Sequence, residues 1–126
     1  MDEVLNQKIN SLFEIFVGFL IVDGDVEEVE YENMFLEFFD YLEAYTIGAK
    51  PDFSFEDVIM KIAEDTDNFS KNANFLNSVT NPEEKIAILV AISKVVFADA
   101  DFSETEYVLF EKLMEFWNIS KKDLNI

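Results

Sequence analysis

Apolar residues recur every three or four positions along most of the chain, which is the spacing of an amphipathic α-helix and not the alternation of a β-strand. The chain has three glycines and two prolines, so few residues interrupt its long segments. The pattern predicts an all-α fold. The predicted helices cover residues 2 to 22, 27 to 45, 54 to 63, 67 to 76, 82 to 98 and 103 to 117, and a final short turn follows Ser120.

Three of these helices begin at recognisable capping residues. Ser54 stands three residues before Asp57, and Ser103 stands three residues before Glu106, which is the spacing of a capping box. Asn81 precedes a proline, and proline suits the first helical position because its missing N–H is not needed there. These signals predict where the third, fifth and sixth helices start.

The same pattern predicts how deeply each helix is buried. The fifth helix is almost wholly apolar from residue 86 to 98, so we expect it to be the most buried. The second helix carries apolar residues on more than one face, Leu36 among them, and is expected to lie between neighbours. The short third and fourth helices are expected to connect two longer pairs.

Length and composition limit the classes of function. The chain has 126 residues, half of them apolar, which suits one helical domain spanning residues 1 to 126. Its 27 acidic residues against nine basic ones give a net charge of −18, and all nine are lysines. Such a field repels phosphates, so we expect no nucleic-acid partner and no membrane insertion, and a protein with a basic surface is the better partner. Without His or Cys, the sequence excludes thiol nucleophiles and the usual zinc sites.

The start of the chain predicts a cytoplasmic location. Residues 1 to 3 are acidic at two positions, where a secretory signal would be basic. The longest apolar run, from residue 15 to 22, has eight residues, against the roughly 20 that a membrane-spanning helix needs. We therefore interpret the first helix as a core helix.

The chain contains an internal repeat. Residues 23 to 31 read DGDVEEVEY and residues 99 to 107 read DADFSETEY, so five of nine positions are identical at an offset of 76 residues. In each copy an apolar helix comes before this acidic segment and an amphipathic helix comes after it. The repeat predicts two pseudo-symmetric helix hairpins, related by an approximate two-fold rotation, whose residues 13 to 20 and 86 to 97 meet in one core.

Carboxylates recur at the same places in both acidic segments. The candidate metal ligands are Asp23, Asp25, Glu30, Asp99, Asp101 and Glu106. If the hairpins pack side by side, these groups gather at one surface, where each close pair repels by roughly 1 to 4 kcal/mol unless a cation neutralises it. An oxygen-only ligand set suits Ca²⁺ first, and then Mg²⁺ or Mn²⁺.

The acidic segments have two other interpretations, of which helix capping stays open and an EF-hand loop is excluded. Acidic residues at helix starts also serve as ordinary caps, and Tyr31 and Tyr107 are expected to be packing residues. An EF-hand loop fails, because its sixth position requires Gly and its twelfth requires Glu. The first segment has Glu28 and Met34 there, and the second has Glu104 and Phe110.

On these two segments and their flanking helices, residues 5 to 45 and 82 to 119, the chain resembles the TerB-like family, named for a bacterial tellurite-resistance protein. The resemblance implies an all-helical fold of two similar halves and a metal-binding acidic cluster, which falls on Asp23, Glu30, Asp99 and Glu106. The second segment departs from the family pattern at Ala100, where Gly is usual.

The sequence leads to one main functional hypothesis and two alternatives. The main hypothesis is a non-catalytic, stress-associated or tellurite-resistance-associated domain that binds a hard divalent cation, Ca²⁺ before Mg²⁺ or Mn²⁺. The first alternative is an acidic protein-interaction module that needs no metal. The second is a hydrolase with paired carboxylates, but no aromatic sugar-binding motif marks a cleft.

Overall fold

The computed structural model describes residues 3–22, 28–43, 54–96 and 104–124. In these ranges the chain forms six α-helices and one short 3₁₀ helix, without a strand. In chain order they are α1 (Glu3–Ile21), α2 (Glu28–Tyr41), α3 (Phe55–Glu64), α4 (Asn68–Val79), α5 (Pro82–Val96), α6 (Glu104–Trp117) and the 3₁₀ helix (Lys121–Leu124). The all-α helical bundle is confirmed, and the predicted helices lie within a few residues of these bounds.

Two predicted helix starts are confirmed by their hydrogen bonds. The backbone N–H of Asp57 donates to Ser54 Oγ at 3.2 Å and the Ser54 N–H donates back to the Asp57 carboxylate, so a reciprocal capping box opens α3. Asn81 Oδ1 accepts a hydrogen bond from the backbone N–H of Glu84 at 2.8 Å, which caps α5. The third predicted cap, Ser103, lies outside the described residues.

The centre of the bundle is α1. Eleven of its 19 residues are buried, against seven of 15 in α5, so the prediction that α5 is the most buried helix is wrong. The reason is the extent of the packing, since α1 packs against α2, α3, α4 and α5, and most extensively against α4. The helices expected to be a connector therefore form a main part of the packing.

Aromatic side chains fill the space between α1 and α2. The ring of Phe16 stacks on Phe38 with centroids 4.5 Å apart, and Phe13 meets Phe35 at 4.6 Å. One face of α2 is buried by these contacts, but Leu36 on another face is 61% exposed. The expectation that α2 lies between neighbours is confirmed, since it packs against α1, α3 and α5, but the described residues leave Leu36 uncovered.

The helix bounds repeat with the sequence. Both α2 and α6 have 14 residues, and their starts and ends differ by 76 positions. The first and second halves also contribute to a single hydrophobic core, as predicted, although Phe97 lies outside the described residues. Across the two halves, Lys8 forms an ion pair with Glu84, and these residues are themselves 76 positions apart. A contact between equivalent positions is what an approximate two-fold axis passing between them produces.

By length and composition alone, α1 could also cross a membrane. It is the one such helix in the described part of the chain, and 56% of the window that meets those criteria is buried inside the bundle. A core helix of a helical bundle has the same properties.

Candidate functional site

The predicted metal site falls largely outside the described residues. Asp23, Asp25, Asp99 and Asp101 all lie there, and the side chain of Glu30 does too, although the backbone of Glu30 belongs to the first turn of α2. Glu106 is described: it lies in the first turn of α6 and is partly buried.

The structure describes all four helices that flank the two acidic segments. The first segment follows the end of α1 and leads into α2, and the second follows the end of α5 and leads into α6. The Phe19 ring, near the end of α1, contacts the Phe110 ring of α6 with centroids 6.4 Å apart. In the sequence, Phe19 stands four residues before Asp23, and Phe110 stands four residues after Glu106. The end of α1 therefore lies beside the helix that follows the second segment.

Within the described ranges, no group of three carboxylates is arranged to hold a metal ion. The tyrosine of the second segment, Tyr107, is partly buried, and Lys121 Nζ lies 5.1 Å from the centre of its ring. A hydrogen bond with Tyr107 also raises the pKa of Lys121 above its ordinary value. Both contacts join Tyr107 to Lys121, and the side chain of Tyr31 lies outside the described residues, so the packing role expected of the two tyrosines stays a prediction.

A second polar site, which the sequence analysis did not single out, surrounds Glu14 of α1. Glu14 points between α3 and α4 and is only 5% exposed. Its Oε1 accepts hydrogen bonds from Asn68 Nδ2 at 2.8 Å and from Asn72 Nδ2 at 3.2 Å. Its Oε2 accepts one from Lys61 Nζ at 3.2 Å. A buried carboxylate requires such partners, because an unpaired charge in the interior is costly.

The two asparagines owe their position to helical geometry. Asn68 and Asn72 stand four residues apart in α4, so both side chains lie on the face that packs against α1. Asn72 Nδ2 also contacts Asn68 Oδ1 at 3.1 Å, which holds the two amides together. The amide pair fixes the orientation of the carboxylate and directs Oε2 toward Lys61.

An open cleft of about 320 Å³ lies over this carboxylate, and we call it the Glu14 cleft. Its walls include Gln7 and Asn10 from α1, Lys61 from α3, and Lys71, Asn72 and Phe75 from α4. Lys71 Nζ donates a hydrogen bond to the Asp65 carboxylate at 2.7 Å. This hydrogen bond, together with one from the Asp67 N–H, holds the pKa of Asp65 below its ordinary value. The cleft therefore combines hydrogen-bonding side chains, two ammonium groups and one buried carboxylate.

The sequence carries a signal for this site. Glu14 is a charged residue inside the apolar stripe of α1, between Phe13 and Ile15. A charge on the buried face of a helix requires a partner, and the partners here are 47 to 58 residues away along the chain. Their identity depends on tertiary packing.

Comparison of the chain with protein-family models, with curated proteins and with solved structures finds no match. The resemblance to the TerB-like family thus rests on the two acidic segments and stays a prediction.

Proposed function

We propose that this protein is a non-catalytic, TerB-like domain that binds one hard divalent cation, Ca²⁺ in preference to Mg²⁺ or Mn²⁺, between its two acidic segments. The ligands we assign are Asp23, Asp25, Glu30, Asp99, Asp101 and Glu106. A role in tellurite resistance or another stress response belongs to the same proposal, through the family resemblance.

The contact between Phe19 and Phe110 carries this proposal. It joins Phe19, about one helical turn before the first acidic segment, to Phe110, about one helical turn after Glu106. This supports an arrangement in which the two segments approach each other at the same end of the bundle. Carboxylates brought together in this way favour the binding of a cation, because neighbouring carboxylates repel each other until a positive charge neutralises them.

The repeated helix bounds give independent support. Because α2 and α6 start 76 positions apart, Glu30 and Glu106 occupy the same place in the first turn of their helices. Oxygen ligands at matching places in two similar hairpins suit Ca²⁺, which accepts six to eight oxygens in flexible geometry.

Isothermal titration calorimetry of the full chain tests the proposal. We expect saturable binding of Ca²⁺, and a rise in melting temperature with Ca²⁺ concentration, because a ligand that binds the folded state stabilises it by mass action. Asp23→Asn and Asp99→Asn should each weaken binding by at least about tenfold, or 1.4 kcal/mol. Their apo forms should stay folded, because the change removes a repulsive charge at constant size.

Matched controls come from exposed acidic residues of α2 and α6, the helices that follow the acidic segments. Asp40→Asn in α2 and Glu115→Gln in α6 change charge in the same way at positions that are exposed and outside the segments, and Ca²⁺ affinity should not change. Glu106→Gln separates a ligand from a cap: a cap is preserved by Gln, whereas a ligand is lost. If Ca²⁺, Mg²⁺ and Mn²⁺ all fail to bind saturably up to millimolar concentration, the acidic end is better explained as a metal-independent docking surface for a basic protein.

A further inference from the structure

We propose that the Glu14 cleft binds a small organic primary ammonium ion, with the Glu14 carboxylate as its anchor. The proposal does not depend on divalent-cation binding, because Glu14 and its partners belong to α1, α3 and α4, away from both acidic segments in the sequence.

The two oxygens of Glu14 have different environments. Oε1 accepts from the amides of Asn68 and Asn72, which are held by helix α4. Oε2 accepts from the ammonium of Lys61, whose side chain is 51% exposed. One oxygen therefore belongs to the fixed part of the protein, and the other is bonded to a flexible side chain that reaches in from the surface.

Lys61 identifies the ligand chemistry. Its side chain is an ammonium on a four-carbon chain, and it sits in the cleft with Nζ 3.2 Å from Oε2. The cleft therefore already holds an alkylammonium in hydrogen-bonding geometry. A ligand ammonium that replaces Lys61 at Oε2 keeps the buried carboxylate paired, and the displaced Lys61 head group, on a side chain that is 51% exposed, can be hydrated at the surface.

The walls of the cleft fit the remainder of such a ligand. An ammonium has three N–H donors, and Gln7, whose side-chain amide has an acceptor oxygen, lines the cleft together with Glu14. Phe75 provides an apolar wall for a carbon chain, and an aromatic face also attracts a cation.

The charge of the whole protein favours a cation over an anion in this cleft. A net charge of −18 raises the local concentration of small cations and lowers that of anions. The two cleft lysines are each paired with a carboxylate, Lys61 with Glu14 and Lys71 with Asp65. They therefore do not form a positive patch that would attract an anion.

An NMR titration of the isotope-labelled full chain tests the proposal. The probe is 1,4-diaminobutane, which has the four-carbon spacing of a lysine side chain, and NaCl keeps the ionic strength constant. We expect saturable shifts of the side-chain amide signals of Asn68 and Asn72. Lys61→Met should tighten binding about tenfold or more, because it removes the internal competitor, and Glu14→Gln should abolish binding.

Controls separate the site from general attraction to an acidic surface. Tetramethylammonium has the charge but no N–H donor, and it should not shift the two amides. Lys112→Met removes an exposed lysine of α6 and should leave the affinity unchanged. Equal shifts with tetramethylammonium, or an affinity that Glu14→Gln does not change, would overturn the proposal.

A folding defect in Lys61→Met would not block the test, since the wild-type and Glu14→Gln titrations decide it. If Lys61→Met folds and binds no tighter than the wild type, Lys61 does not compete and the proposal is wrong. Asp23→Asn is expected to keep full diamine binding, and Glu14→Gln to keep full Ca²⁺ binding, so failure of one proposal is distinguishable from failure of the other.

Discussion

The first helices of the two halves, α1 and α5, agree on one face and differ on another. Phe16 and Ile92 occupy equivalent positions and both are fully buried. The next equivalent pair, Phe19 and Val95, is also buried, with Val95 only 4% exposed. On a different face, Glu14 is buried, whereas the equivalent residue Val90 is only partly buried.

The difference arises from the two helices between the halves. Because α3 and α4 pack against α1, they cover a face whose counterpart on α5, at Val90, is only partly covered by the described residues. The buried carboxylate and the Glu14 cleft lie on this extra face. The hydrogen-bonding partners of the buried carboxylate thus come from the part of the chain that is not repeated.

The largest predicted effect concerns the face on which the halves agree. Phe16→Ala should lower the free energy of unfolding by about 3–5 kcal/mol and Ile92→Ala by about 2–5 kcal/mol, because each leaves a cavity in the core. The phenylalanine change should cost more, since it also removes the ring contacts with Phe38 and Phe35. Urea unfolding followed by circular dichroism measures both values.

The control for this pair is Leu36→Ala, which truncates an exposed apolar residue of α2 and should change stability by no more than about 0.5 kcal/mol. A cost below about 1 kcal/mol for either core variant would contradict the shared core.

A smaller effect tests the contact between the halves. Lys8 and Glu84 have side chains that are 11% and 16% exposed, so each depends on the other for its charge to be compensated. In a double-mutant cycle with Lys8→Met and Glu84→Gln, we expect a coupling of about 0.5–3 kcal/mol from chemical unfolding. The more exposed pair of Lys71 and Asp65 should give a smaller coupling. Additive costs at positions 8 and 84 would show that the halves are not joined there.

The smallest effect belongs to the turn between α3 and α4, which lies between the two halves. The pKa of Asp65 is below its ordinary value of 3.8, because the side chain accepts hydrogen bonds from Lys71 and from the Asp67 N–H. Stability from this group is therefore present above the unfolded-state pKa and is lost as the pH falls through the folded-state value. Lys71→Gln should raise the Asp65 pKa toward 3.8 in a carboxyl NMR titration, and Lys122→Gln should not. An identical Asp65 titration in the wild type and in Lys71→Gln would remove Lys71 as the cause.

Much of the fold is predictable from sequence because its signals are local. The three-to-four-residue spacing defines each helix, and the caps at Ser54 and Asn81 depend on residues three positions away. Depth of burial is different, because it depends on how extensively the neighbouring elements pack against a helix. The apolar sequence of α5 suggested the deepest burial, but α1 packs more extensively, above all against α4.

The Glu14 site was not predictable in the same way. Its partners come from α3 and α4, and nothing in the sequence around Glu14 indicates which residues reach it. The acidic segments were visible because their pattern occurs twice, and the metal site assigned to them stays a prediction.

The ion pair of Lys8 and Glu84 has a consequence for how such a protein can be encoded. In a homodimer of a half-length chain, a position at the two-fold axis faces its own copy, so two lysines or two glutamates would meet and repel. A single chain that contains both halves can carry opposite charges at the two equivalent positions. Lys8 and Glu84 use this freedom, and their contact is one that a symmetric homodimer of identical half-length chains would not form at its axis.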